Sequence, residues 1–239
     1  MIHPVILKPN IGSNGLLNGL VSAWEFENNA LDSHGSNDGT VNGATYTSSG
    51  KIEGCYDFDG TNDYIKIPYD SSIIFDGNSE SYSVSLWVKH STQSGHKRII
   101  NTAYSGNSLI KFPYRFIAMT DGTIKFYVYD GSNITQLQST SSNLDNNSWH
   151  HIVGVVNQST DNVYLFVDGE LVTTETNVVT SSTSNTNDLI IGRQKESDSN
   201  YSYDGLIDQP AIWSRALTAT EVAALYNNGD GLPYSQFTN

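Results

Sequence analysis

Asp32, Asn37 and Asp38 fall on one short loop that also carries Gly35 and Gly39. Calcium takes about six to eight oxygens from carboxylates, amides and carbonyls in flexible geometry. A glycine-containing loop of this composition can wrap such an ion. Asp208, on a strand-like run from Gly205 to Trp213, is an inward-looking carboxylate and a further candidate oxygen donor. A plainer chemistry competes at each place. Asp32 can cap a turn, and Asp208 can pair with Arg215 or accept from backbone.

Catalytic patterns are weaker. Glycosidases need two carboxyl groups, roughly 5–5.5 Å apart in retaining enzymes and roughly 6.5–9.5 Å apart in inverting ones. Glu25 and Glu27 share a strand face by the period of two, but they lack a third acid and read as a solvated edge pair. His150 and His151 are adjacent in a strand-like run, so their rings point to opposite faces, which is poor for a shared metal. No Gly-x-Ser-x-Gly nucleophile elbow is present. The expectation is a protein that is not an enzyme, with no catalytic residues.

Aromatic residues offer a third chemistry. Sugar sites stack aromatic faces on sugar rings and surround them with amide, carboxylate and backbone groups. Trp87, Tyr104, Tyr201 and Tyr203 are the candidate ligand-binding platforms. Tyr201 and Tyr203 lie in a polar loop, Glu196–Asp204, and are expected to be exposed. Tyr114 and Tyr129 are further candidates, with core packing as the alternative for all of them.

These residues need a scaffold, and the pattern around them is β. In Ser81–His90, Tyr82, Val84, Leu86 and Val88 alternate with Ser83, Ser85, Trp87 and Lys89. About a dozen such runs, separated by turn signals such as Asp168-Gly169 and Thr120-Asp121-Gly122, call for a two-sheet antiparallel sandwich or jelly roll. One helix is expected over Thr218–Asn228, with Thr218 and Glu221 spaced as a capping box. Residues 1–17 read as an extended, proline-punctuated arm, residues 18–232 as the sandwich, and residues 233–239 as a tail.

Bulk composition excludes several partners. The net charge is −13 over 239 residues, the wrong sign for replacing counterions on nucleic acid or docking on anionic membranes. The single cysteine, Cys55, rules out an internal disulfide and reads as a small buried apolar residue. The first residues lack the pattern of a secretory signal, and no stretch is long and apolar enough to span a membrane. Synthesis in a cytoplasm without signal-directed export is therefore expected. Homo-oligomerisation is left open.

Taken in order, the pieces form a resemblance. Gly19–Trp24, Leu31-Asp32-Ser33, Asp38-Gly39-Thr40, Phe58–Ile65, Tyr82–Lys89, Trp149–Val153, Leu165–Gly169, Ile191-Gly192-Arg193, Gly205–Asp208 and Arg215–Tyr226 together resemble the laminin-G/concanavalin A-like jelly-roll family. The similarity is closest to the variety fused to bacterial and phage surface proteins, and it covers residues 19–230. It implies a calcium ion, structural in role, between the Asp32–Asp38 loop and the Asp208 strand. Asp32 and Asp208 would supply side-chain oxygens and residues near Asp38 would supply carbonyls. Two departures stand out: the loop after Asp32 is slightly short, and Gln209 occupies a position where the family commonly has a second acid. The implied function is a non-catalytic, lectin-like binding or adhesion domain that binds host or environmental glycans. Its expected setting is the virion surface of a bacteriophage, as a capsid decoration or fibre component, with the N-terminal arm engaging other virion or surface proteins. The alternatives are an extracellular or cell-surface glycan-binding module of a bacterial polysaccharide-degrading system and, third, a glycoside hydrolase or lyase of the same fold.

Overall fold

The computed structural model describes residues 15–102, 111–196 and 200–239. Its strands are β1 (Leu20–Ala23), β2 (Thr40–Asn42), β3 (Thr45–Thr47), β4 (Cys55–Asp59), β5 (Tyr64–Ile67), β6 (Tyr82–Lys89), β7 (Lys97–Thr102) and β8 (Phe112–Ala118). They continue as β9 (Ile124–Tyr129), β10 (Ile134–Gln138), β11 (His150–Asn157), β12 (Asn162–Val167), β13 (Glu170–Thr176), β14 (Leu189–Ile191) and β15 (Asp204–Trp213), followed by the helix α1 (Ala219–Tyr226). Every pairing among the described residues is antiparallel. One sheet runs β13-β12-β11-β6-β15-β4-β3, with β1 also on β15, and the other runs β10-β9-β8-β7-β14-β5-β2. The expected all-β jelly-roll sandwich is therefore present.

Alternation explains which side chains meet between the sheets. Tyr82, Val84, Leu86 and Val88 of β6 and Tyr114, Phe116 and Ala118 of β8 enter one buried cluster with Phe126, Ile152 and Ile207. Asp168 and Gly169 both take positive φ, at 51° and 82°, as the two-residue turn joining β12 to β13 requires. The run Thr40–Thr47 divides at Gly43 (φ 81°). Its halves join different sheets. Strand β10 was not expected, because its polar Ile134–Gln138 sequence buries only Thr135 and Leu137.

A second apolar cluster lies outside the sandwich. Val153, Val155, Ala211 and Trp213 on the outer face of the eight-stranded sheet pack under Val222 and Leu225 of α1 and under Leu232. Leu16 joins them and is fully buried. Trp213 donates its indole N–H to the Leu16 carbonyl at 2.7 Å. Residues 15–17, expected in the arm, and Tyr234 and Phe237, expected in the tail, thus pack on the domain itself. The apolar outer face of the sheet needs them as a cover. The remainder of the arm lies outside the described residues.

The capping box at α1 forms as expected: the Glu221 N–H donates to Thr218 Oγ1, and the Thr218 N–H donates to Glu221 Oε2. Arg215 does not pair with Asp208. Its guanidinium forks onto Glu221 at 2.6 and 3.0 Å and donates to the Asn18 and Gly15 carbonyls. Burial works against the Glu221 charge, but the Arg215 and Thr218 hydrogen bonds outweigh it and hold the carboxyl below its ordinary range. Glu221→Ala is therefore expected to cost about 2–4 kcal/mol in urea unfolding. The loss should be present at neutral pH and shrink as acid protonates Glu221, because a depressed folded-state pKa stabilises only above the unfolded value. A loss no larger than a helix cap alone, about 1 kcal/mol, would show that the ion pair adds nothing.

Candidate functional site

The cover over the eight-stranded sheet stops short of one row. Asp57 on β4, Leu206 on β15 and Lys89 on β6 stand opposite one another in register and point outward, since Phe58, Ile207 and Val88 face the core. Beside them an open groove of about 370 Å³ runs between this row and the loop after β6, with Thr92, Asn147 and Asp204 also on its wall. That size falls within the range of small-ligand sites.

The groove is built by hydrogen bonds rather than apolar packing. Gln93 accepts from the Asp204 N–H at 3.1 Å and donates to the Asp204 carbonyl at 2.8 Å, which fixes the start of β15. The Asn147 N–H donates to the His90 carbonyl. His90 is buried, and Nδ1 meets the Tyr203 hydroxyl at 2.9 Å while Nε2 has no partner. Burial lowers the His90 pKa to about 4, so the ring is neutral at physiological pH. Asp57 is raised by partial burial and then by the nearby Asp204 charge. The wall thus offers carboxylates, an ammonium, an amide and a hydroxyl, a mixture that fits sugar hydroxyls acting as both donors and acceptors. Sequence patterns missed this site, because Asp57, Lys89 and Asp204 are remote in the chain and carry no motif.

The carboxylates expected to hold calcium are placed apart in function. Asp32 Oδ1 accepts from the Ala23, His34 and Gly35 N–H groups, and Oδ2 accepts from Asn37 N–H. Asp38 Oδ1 accepts from the Asp32 N–H in the same loop. Asp208 is fully buried, and its Oδ2 accepts from the Lys51 and Ile52 N–H groups at 2.8 and 3.0 Å. Its Oδ1 has no partner. Among the described residues no group of three or more His, Cys, Asp or Glu could hold a metal ion.

The aromatic candidates also separate. Trp87, expected as a platform, is 3% exposed and lies under α1, stacked on Tyr226 at 5.7 Å and beside His151 at 4.9 Å. Tyr203, expected to be exposed, is fully buried between Phe58 and His90. Both are corrected from ligand platforms to packing residues: the helix covers the outer sheet face that carries Trp87, and Tyr203 turns into the core cluster between the sheets. Tyr201 is half-buried in the turn before β15, beside β7, with the Arg98 guanidinium 4.4 Å from its ring centre. Tyr104 lies outside the described residues. Tyr114 is a core residue donating to the Ile73 carbonyl, and Cys55 is buried as expected. The histidine neighbours do diverge: His151 lies on the covered outer face, 2.8 Å from Ser85, and His150 pairs with Asp168 at 2.8 Å.

A family model described as the concanavalin A-like lectin/glucanases superfamily, of the laminin-G type, matches residues 59–223. The chain belongs to this superfamily. Its fold is similar to the binding domain of Paraclostridial Mosquitocidal Protein 1, with a TM-score of 0.73 and 18% identity over 89% of this chain and 53% of that one. It is also similar to the receptor-binding domain of botulinum neurotoxin D, at 0.69 and 18% over 89% and 53%. A serotype D ligand-binding domain solved with N-acetylneuraminic acid gives 0.67 and 16% over 88% and 51%. This chain spans about half the length of each, and identities this low establish the fold alone. Among curated proteins no sequence relative matches.

Within this concanavalin A-like domain, Asp208 carries a measurable signature. Burial raises its pKa to about 8, against the opposing backbone N–H groups of Ile52 and Lys51. Between the ordinary carboxyl range and pH 8 the unfolded chain ionises while the folded chain keeps the proton. Stability therefore falls as pH rises through that window. Asp208→Asn is expected to remove this slope. Its stability relative to wild type should improve by a few kcal/mol between pH 4 and pH 8, read by urea unfolding at each pH. Parallel curves for the two proteins would refute the assignment.

Proposed function

We propose that this domain is a non-catalytic, lectin-like module that binds a neutral or mixed glycan segment in the groove formed by Asp57, Lys89, Asn147 and Asp204. The carrying observation is the groove itself: polar side chains from three adjacent strands and one loop converge on an open space of about 370 Å³. The fold similarity to binding domains supports the same direction. Asp204→Ala and Asn147→Ala are each expected to weaken glycan binding by about tenfold, since each removes hydrogen bonds to sugar hydroxyls. A glycan array followed by calorimetric titration reads this. Unchanged affinity in both variants would place the binding elsewhere. Asp57 and Asp204 also put two carboxylates on one wall, so the same samples are assayed for cleavage products. Turnover abolished by Asp204→Ala would replace the binding reading with a hydrolytic one.

The domain is proposed to hold its shape without calcium. What supports this is the Asp32 carboxylate, whose two oxygens already receive four backbone N–H groups, leaving it a loop organiser rather than a metal ligand. A chelator should leave the melting temperature unchanged, whereas Asp32→Ala should lower stability by about 1–3 kcal/mol through its orphaned N–H groups. A melting temperature that drops in chelator and recovers with added calcium would reverse this conclusion.

A further inference from the structure

The groove carries opposite charges on its two sides. Asp57 and Lys89 flank Leu206 in one outward row. Neighbouring strands lie about 4.8 Å apart, so the strand β15 between them sets Asp57 and Lys89 about 10 Å apart, backbone to backbone. Asp204 is the next outward position on β15 and stands diagonal to Asp57, about 7–8 Å from it on the same measure. One side of the groove is thus a pair of carboxylates and the other a single ammonium, with Leu206 between them.

These charges are open and unpaired. Asp57 and Asp204 are exposed, and Lys89 is half-buried. None of the three forms an ion pair among the described residues. Asp59 faces the same way, opposite Asp204, but its Oδ1 accepts from the Thr61 and Asn62 N–H groups and organises the turn after β4. Partial burial, and then the charges of Asp204, Asp63 and Asp59, raise the Asp57 carboxyl. An incoming cation relieves that crowding.

The spacing selects the ligand. An ammonium carries three donors and no acceptor, so it can donate to Asp57 and Asp204 together. Calcium takes about six to eight oxygens, and no group of three or more His, Cys, Asp or Glu among the described residues could hold a metal ion. A purely cationic ligand meets Lys89, and a purely anionic one meets the carboxylates. A ligand with one charge of each sign answers both sides. Its charges sum to zero, so the field of a chain of net charge −13 does not by itself decide its affinity. Building on the glycan reading of the groove, we propose that the groove selects a zwitterionic saccharide: a free amino group held between Asp57 and Asp204, and a carboxylate on the adjoining sugar held by Lys89.

Titration calorimetry of the full chain tests this with four forms of one disaccharide, glucuronic acid linked to glucosamine. One form has the free amine and the free carboxylate, one is N-acetylated, one is methyl-esterified, and one carries both blocks. The zwitterion is expected to bind about tenfold tighter than either singly blocked form, because each block removes a charge-assisted hydrogen bond. Asp57→Asn should abolish the preference for the free amine and keep that for the free carboxylate. Lys89→Met should do the reverse. That crossed pattern cannot arise from general loss of structure, and the wild-type comparison decides alone if a variant fails to fold. Equal binding of all four forms would overturn the proposal and leave the groove reading standing. So would a folded variant that loses both preferences or neither. Absence of binding by every form would remove the groove reading and this proposal together.

Discussion

The structure depends on burying the central strands β6 and β15 on both faces. Their inner faces fill the sandwich, which any jelly roll requires. Their outer faces carry Trp87, Ala211 and Trp213 beside Ser83, Ser85 and Asp208, and these too are removed from water. Apolar surface of that extent is stable only under a cover. Helix α1, residues 15–17 and the C-terminal segment through Phe237 supply one. The Arg215–Glu221 pair holds the cover in place by joining the helix cap to the Asn18 and Gly15 carbonyls.

Covering a mixed surface has consequences for every polar group beneath it. Ser83 is satisfied by accepting from the Leu217 N–H and donating to the Arg215 carbonyl. Ser85 finds His151. Burial keeps that ring neutral, with its pKa lowered to about 3, and a small cavity of about 20 Å³ beside it, lined by Ser85, Trp87 and His151, has room for about one water. Asp208 obtains two backbone donors for one oxygen and none for the other, and remains mostly protonated at neutral pH. The β15 bulge at Gln209 (φ 49°) separates the stretch that pairs with β4 from the stretch that pairs with β1. The sheet can therefore present a covered half and an open half, and the groove lies in the open half.

The two sheets then offer different chemistries on their outer faces. The eight-stranded sheet opens into a polar groove of mixed charge. The seven-stranded sheet places the Arg98 and Arg115 guanidinium groups near Tyr127 and Tyr201. Asp208 and Arg115 are buried ionisable groups of opposite sign. The acid escapes its desolvation by keeping a proton, an option unavailable to arginine at neutral pH.

Much of the fold was legible in the residues. The period-two alternation in Tyr82–Lys89, the Asp168-Gly169 turn and the Thr218–Glu221 box are local, and local backbone preference decides them. The ordered fragments from Gly19 to Tyr226 were enough to indicate the family. The site was not legible. Alternation says that Trp87 and Tyr203 leave or enter a face, but not whether that face meets water. The cover that buries Trp87 comes from residues more than a hundred positions away. Asp32 reads as a candidate metal ligand because side-chain type is visible in sequence, whereas the four N–H groups it accepts appear only when the loop closes. By itself the sequence determined most of the strands, the Asp168-Gly169 turn, the helix cap and the acidic charge, since each depends on near neighbours or on a sum over the chain. Only the tertiary structure decided which polar groups are desolvated and which stay open to a ligand, because desolvation depends on what distant segments lie overhead.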